Sequence, residues 1–512
     1  MSAARGTIYA LTALLAVSAC TLEPHYQRPA APITPDWPQI EGGVAQAPAP
    51  GPAPGPAASP SVTPVAANGT AAADIGWREF FTDARLQKLI EIALQHNPDA
   101  RVATLNIAAA RAQYQIQRAD LFPAINATAV ETAEKFPSAV APIATSGAVS
   151  GGAATPTATG SGVFRFFDVG VGFTSYEIDL FGRVRSLNHQ RLQQYLGFEE
   201  TRRSTQITVI ASVANAYLTL LADQKLLRVT QDTLDSQQES LRLIRMSFEG
   251  GVNTALDLHQ AETTVATAQA NLAQYAREVA QDRNALTVLL GTPMPDGLPG
   301  ESDLDEESLM TDLPAGLPSD ILTQRPDILA AEHNLIAGNA NIGAARAAFF
   351  PRITLTGTYG TASTQLSGLF DHGSTAWTFS PQISLPIFAA GANVAGLNLA
   401  KIQKNVLIVQ YEQAIQTGFR EVADSLAGRA TYDTQIAADQ ALLDATNDSF
   451  RLANMRFTGG IDNYLVVLDS QRALYGAQQS LIEAKLARLQ NLVTLYKALG
   501  GGWREHSQTA AR

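Results

Sequence analysis

A chain of 512 residues with 36 basic against 47 acidic side chains carries a formal net charge of −11, which argues against a nucleic-acid partner. Its single cysteine, Cys20, excludes an intrachain disulfide, so stability rests on packing. Beyond that residue no thiol nucleophile or thiolate metal site is possible.

In chain order, Arg5 supplies a positive n-region, residues 8–17 (IYALTALLAV) a short apolar h-region, and Ser18 and Ala19 a small-residue cleavage site. These predict a signal peptide over residues 1–19. Val17-Ser18-Ala19-Cys20 resembles the bacterial lipobox, whose cysteine is diacylated on sulfur and becomes the new N-terminus; an ordinary signal peptide is the alternative. Thr21 stands where lipoprotein sorting reads Asp as an inner-membrane signal, so the outer membrane is expected. Losing Arg5 takes the charge from −11 to −12. The remaining chain shows no run near about 18 apolar residues, so no membrane-spanning helix is expected. Crossing lipid without one requires a closed β-barrel, since every backbone polar group needs a partner there. Residues 20–75, which include APAPGPAPGPAASPSVTP, read as a lipid-anchored tether too poor in buriable surface to order itself.

Residues 76–317 form a first repeat. Helical sequence begins at Trp77, runs through RLQKLIEIALQHN, restarts after Asn97-Pro98 and ends near Asp120. After Pro123 the period becomes that of strands: AINATAVET is one, and in the next Phe167, Val169, Val171 and Phe173 alternate with Asp168, Gly170, Gly172 and Thr174. Between them, residues 133–163 are an Ala/Gly/Ser/Thr-rich loop. No proline lies between Pro156 and Pro293, so the roughly 65 residues from Gly182 to Ser247 can be one helix of about 100 Å. FEGG (Phe248–Gly251) turns the chain into a returning helix of about 35 residues. That helix has a heptad seam at Ala261, Val265, Ala268, Leu272, Tyr275, Val279, Leu286 and Leu289, broken only at Asp282.

Residues 318–502 repeat the pattern. RPDILAA and FFPRITLT return NPDARVA and LFPAINAT 228 positions later, and FTGG and ALG return FEGG and LLG 209 positions later. The difference lies in the second inter-strand loop, TASTQLSGLFDHGST, which is shorter than the first. Around Arg325-Pro326 a helix ends near Ala348. Ile353, Leu355 and Tyr359 alternate with Thr354, Thr356 and Thr358, and Trp377, Phe379, Ile383, Leu385 and Ile387 with Thr378, Ser380, Gln382 and Ser384. This is the alternation of strands between lipid and water; a soluble sandwich is the alternative. A long helix from Gly391 to Arg456 precedes the turn. The returning helix then carries Leu474, Ala477, Leu481, Ala484, Leu495 and Ala498 in its seam, with Arg488 the charged departure. Residues 503–512 are a C-terminal tail.

A unit of roughly 200 residues is too long for a solenoid repeat and instead describes two similar staves of a wall. Four strands per chain cannot close a barrel, whereas three chains supply twelve, enough for an open lumen. The fold class expected is therefore an α+β membrane protein: a trimeric twelve-stranded β-barrel continued by a long periplasmic α-helical barrel.

The runs AAARAQYQIQRADLFP, YEIDLFGRVR, RPDILAAEHNLIAGNANIGAARAAFFPRITL, ISLPIFAAG and RFTGGIDNYLVVLDSQRAL resemble the outer membrane efflux factors of the TolC and OprM kind, in the lipoprotein branch called NodT-like. The resemblance covers roughly residues 20 to 502. It implies a homotrimer in outer-membrane lipid, a periplasmic helical tunnel with an equatorial belt, docking to a periplasmic membrane-fusion adaptor, and an inner-membrane pump of the RND type. The first inter-strand loop and the tether depart from the family pattern in being longer and richer in Ala, Gly and Pro.

A passive duct needs a gate and docking surfaces, and both are expected at the two helical tips. Phe248, Gly250, Gly251, Asn253, Phe457, Gly459 and Gly460 are the docking candidates by that resemblance, the paired glycines also serving as left-handed helix caps. Asp462 and Asp469 resemble the acids that ring the closed aperture in this family, with Asp257 in the equivalent turn of the first copy; solvated helix-start acids are the plainer reading. A threefold carboxylate ring would select cations. Arg245 and Arg456 are placed to pair with these acids. Seven scattered histidines, with neither HExxH nor GxxxxGK[ST] nor GxSxG, give no catalytic, metal or cofactor site. Two other functions compete with small-molecule export: a trimeric coiled-coil scaffold, and the duct of a type I protein secretion system.

Overall fold

The computed structural model describes residues 21–34, 37–38, 72–135, 163–300, 303–304, 309–314 and 321–507. The signal peptide, Cys20, most of the tether, the loop 136–162 and residues 508–512 lie outside that range. Helices α1 (Trp77–Phe80), α2 (Ala84–His96) and α3 (Pro98–Ala119) lead into strands β1 (Ile125–Lys135) and β2 (Val163–Ile178), then α4 (Arg183–Glu249) and α5 (Ala255–Leu290). The order recurs as α6 (Ile321–Gln324), α7 (Pro326–Ala347), β3 (Arg352–Ser363), β4 (Thr375–Ser384), α8 (Ala392–Thr458) and α9 (Tyr464–Ala498). Both α4 and α8 are 67 residues long, without a proline to interrupt either.

One 18-residue window of α4 reaches a mean hydropathy of 1.4, apolar enough for a membrane span, although no such run was expected. It is 61% buried within the protein. Its apolar side chains, Ile210, Val213, Ala214, Tyr217 and Leu218 among them, serve the packed core, and polar residues between them interrupt the run.

Spatially the chain divides differently from the repeats. One compact unit holds residues up to Arg28, Ala109–Tyr195 and Asn334–Leu407; the other holds Pro29–Ala108, Leu196–His333 and Ile408–Arg512.

The first unit carries the sheet, an antiparallel meander in the order β1-β2-β3-β4. Val171 pairs with Ala127 on one side and Tyr359 on the other, and Tyr359 pairs with Trp377. One face therefore collects Val169, Val171, Phe173, Tyr359, Trp377, Phe379 and Ile383, and the opposite face Thr128, Thr358, Thr378, Ser380 and Gln382. Trp377 is 71% exposed, so among the described residues nothing covers this part of the apolar face. Gly170 sits opposite Gly360, where a Cβ on Gly360 would run into the backbone of Val169 and Gly170. The register shifts between Phe173 and Tyr176, where Ser175 has φ +56°, a bulge that increases local twist.

Leu385 and Ile387, expected to continue the last strand, lie beyond it. The β3–β4 ladder ends at the pair Arg352–Ser384, flanked by Pro351 and Pro386, and neither proline has an N–H to extend it. Below the sheet, Glu177 accepts two bonds from Arg183, at 2.8 and 2.7 Å, and meets Arg352 Nε at 2.6 Å. The N-terminal segment is fixed to the same unit. Arg346 Nη1 donates to Leu22 O (3.1 Å), Asn339 Nδ2 to Pro24 O (2.6 Å), and the Glu23 carboxylate lies 3.1 Å from His189 Nδ1. Gly343 leaves room for the Glu23 backbone.

In the second unit, Asp83 caps α2 through Arg85 N and Leu86 N, and the stripe Leu86, Leu89, Ile90, Ala93 is buried. Phe80 stacks on Tyr496 at 4.0 Å, and Tyr496 Oη donates to Ile75 O at 2.7 Å. The tail is not independent of the body: Trp77 N donates to Arg504 O at 3.0 Å and Gly76 N to Ser507 Oγ at 2.9 Å. Of the two breaks in the returning-helix seams, Arg488 donates to Asp433 at 2.7 Å, and Asp282 is half-buried.

Candidate functional site

The tips are built by the last turns of α4 and α8. In the first, Gly250 N and Gly251 N donate to Met246 O and Phe248 O, and Val252 N to Ser247 O. In the second, Gly459 N, Gly460 N and Ile461 N donate to Met455 O, Phe457 O and Arg456 O. Only the second glycine of each pair is left-handed, Gly251 at φ +78° and Gly460 at φ +71°. Gly250 and Gly459 still close the last helical turn through their N–H groups, so the expectation of two left-handed caps per tip is corrected to one.

Arg456 and Asp462 meet as expected. Nε lies 2.6 Å from Oδ2 and Nη2 3.0 Å from Oδ1, a bidentate clamp across the turn. The hydrogen bond from Arg456 holds the Asp462 carboxyl below its ordinary range. The first tip does not copy this. Arg245 reaches Glu262 at 3.2 Å, not Asp257, because the Asp257 carboxylate is engaged in a capping box. It accepts from Thr254 N at 3.0 Å and Thr254 Oγ1 at 2.7 Å. The bond from His259, with help from Arg245, keeps Glu262 ionised to lower pH than usual. Asp469 lies exposed on α9. The structure thus joins Arg456 to Asp462 and leaves the other three candidates in separate local settings.

Beneath the turns, Ile244 from α4, Ala261 from α5, Ala453 from α8 and Tyr464, Val467 and Leu468 from α9 form one buried cluster, with Leu241, Leu258, Phe450 and Phe457 packed against it. Phe457 and Tyr464 rings lie 5.7 Å apart. Both tips therefore stand side by side on a shared core. Of the docking candidates, Phe457 is partly buried against that core, whereas Phe248 is exposed. The most outward apolar side chains were not among those candidates: Val252 is 79% and Ile461 67% exposed, with Leu256 and Leu465 also outward. Their signal in the sequence was an apolar residue straight after each glycine pair, where solvent-facing turns favour polar ones.

With this geometry in view, the family model for outer membrane efflux protein matches the chain twice, over residues 89–292 and 317–501. The chain belongs to the outer membrane efflux protein family. It is 48% identical over 501 residues to a probable efflux pump outer membrane protein, TtgC, of Pseudomonas putida, covering 98% of this chain and 96% of that one. It is 40% identical over 498 residues to the outer membrane protein OprJ of Pseudomonas aeruginosa, covering 97% and 96%. Among solved structures, the MtrE outer membrane channel of Neisseria gonorrhoeae in its open state superposes with TM-score 0.81 at 37% identity, covering 96% of this chain and all of that one. The family read from the RPD and FFP stretches is the family shown. The fold is that of these channels, four strands per chain joined to long helices. The chain is an outer-membrane efflux protein with a periplasmic helical extension.

Proposed function

We propose that three copies of this chain form the passive export duct of a tripartite efflux system, carrying drugs or other small toxic compounds to the exterior. The observation that carries this reading is a sheet of four strands which, among the described residues, has two open edges and a bare apolar face, continuous in sequence with helices of 67 residues. Open edges and uncovered apolar surface are tolerated only when neighbours pair with the strands and lipid covers the face. Twelve strands reach the size at which a barrel encloses a lumen.

The Arg456–Asp462 clamp is the candidate lock of the aperture, tripled by threefold symmetry, with Asp469, Asp257 and Arg245 as secondary charged groups. Val252, Leu256 and Ile461, with Phe248 and the glycine turns, are the candidate adaptor surface. A periplasmic adaptor and an inner-membrane pump of the RND type are the partners this reading requires. Names of relatives as toluene and antibiotic efflux components support the substrate class. Cys20 is proposed as the lipid-anchored residue, and residues 76–317 and 318–502 as the duplicated halves.

The test is single-channel recording in planar bilayers with purified full-length protein. Arg456→Ala and Asp462→Ala should each raise conductance several-fold and Arg245→Ala much less. Unchanged conductance in the first two would remove the lock assignment, and absence of any current from stable oligomers would remove the duct.

A further inference from the structure

On the face of the sheet that carries Thr128, Thr358 and Thr378, the far end of the β1–β2 hairpin departs from the polar pattern. Strand β1 is entered from α3 and β2 leaves into α4, so the ladder's end at Lys135 and Val163 lies away from the helices. The helical extension is periplasmic, which makes this end the external mouth. Thr128 pairs with Gly170, and the next three pairs on that face are Val130–Asp168, Thr132–Phe166 and Glu134–Phe164. Phe164 is 48% and Phe166 39% exposed, and Val130 is exposed beside them. Strand β3 stops short of both rings, since its last pairing with β2 is Ser363–Phe167.

Lipid does not account for these rings. By strand alternation Glu131, Arg165 and Lys135 stand on the opposite face at the same level, with Arg165 Nη1 3.5 Å from Glu131 Oε1. The apolar band that faces lipid has therefore ended at Phe167. Beyond it the hairpin exchanges polarity, with charge outside and aromatic rings on the lumen face, the reverse of the barrel pattern below. One step down on that face, Gly170 sits opposite Gly360, so the rings rise from a stretch of wall without side chains.

The chemistry of the patch is specific. Phe164 and Phe166, two residues apart on one strand, present rings about 7 Å apart. Asp168 lies below them and Glu134 beside Phe164, while both basic residues of the stretch, Arg165 and Lys135, are on the other face. An apolar body matches the rings, and a positive charge matches both the ring faces and the carboxylates. An anion of the same shape would meet only repulsion.

We propose that Val130, Thr132, Glu134, Phe164, Phe166 and Asp168 form a contact site for lipophilic organic cations on the lumen wall at the external mouth, present three times in the trimer. The site rests on the duct reading and gives it a cargo class. It offers such a cation a last foothold before release, and the same cation supplied from outside occupies the mouth and obstructs the current.

Single-channel recording of the full-length protein in planar bilayers tests this, with tetraphenylphosphonium added to each chamber in turn. In the wild type it should reduce the current, and more strongly from the external side. Phe164→Ser/Phe166→Ser should raise the half-blocking concentration about tenfold, and Asp168→Asn should raise it by a smaller factor. Tetraethylammonium, which lacks rings, and tetraphenylborate, which reverses the charge, should block far less and respond little to the ring variant. Equal half-blocking concentrations in the wild type and the ring variant, or equal block by tetraphenylborate, overturns the site. Should the double variant fail to assemble, Phe164→Ser alone, at the last pair but one of the ladder, decides with a rise of about threefold. A protein that passes no current before any blocker is added sinks the duct reading and this site with it, whereas normal current with unaltered block sinks the site alone.

Discussion

The two repeats do the same structural jobs with different chemistry. Asn97 and Arg325 stand 228 residues apart, and each donates to the last turn of its returning helix, Asn97 Nδ2 to Leu289 O at 2.8 Å and Arg325 Nη1 to Ala498 O at 2.9 Å. In the first repeat the amide also starts the next helix, its Oδ1 accepting from Asp99 N and Ala100 N. In the second the guanidinium gathers Asp327 and Glu421 at 2.6 and 2.8 Å. The tips differ in the same way: the first is set by local caps around Thr254 and Asp257, the second by an ion pair across the turn. Duplication fixed where a helix end must be held and left open how. At the second tip the turn itself is closed by an ion pair, which salt and protons can reach.

Changes that remove one repeat's solution should rank by how much desolvated polarity they leave behind. Arg325→Ala strands the Ala498 carbonyl and two carboxylates around a buried site, and should cost about 3 kcal/mol in urea unfolding of the solubilised protein. Arg325→Asn, which borrows the first repeat's answer, should recover only the part due to the carbonyl. Asn97→Ala removes a buried cap and one carbonyl bond, for about 1–2 kcal/mol by the same measurement. If Asn97→Ala proved the costlier, the ranking by buried charge would be wrong.

Thr254→Ala, which opens the capping box, should cost about 1 kcal/mol. Asn463→Ala at the matching N-cap should cost only a few tenths, since Asn463 makes no side-chain cap bond. Smallest in stability and largest in conduction is Arg456→Ala. Arg456 is exposed and Asp462 only half-buried at the surface, so unfolding should barely change, while the open-channel current rises. Salt near about 1 M should move the wild type in the same direction. Because Asp462 is held below its ordinary range, the clamp should persist as pH falls through ordinary carboxylate values and fail only below them.

Much of this was legible in the chain before any fold was known. Helices α4 and α8 begin and end within two residues of their expected bounds, because glycines and the absence of proline mark them locally. The four strands follow from period-two alternation, and the Arg456–Asp462 clamp from a spacing that one turn can close. What was misjudged depended on distant partners. Arg245 found Glu262, 17 residues on, because Asp257 had a nearer hydrogen-bonding partner in Thr254. The strand β4 stops at Ser384 because its neighbour begins only at Arg352, and alternation alone cannot reveal a neighbour's end.

The sequence by itself determined the order, length and duplication of the elements, since helix period, strand period and turn chemistry act between near neighbours. Tertiary structure alone decided that both tips share one core and that the N-terminal segment lies against Arg346 and Asn339. Such pairings depend on how helices rotate and slide against each other, which no local pattern records.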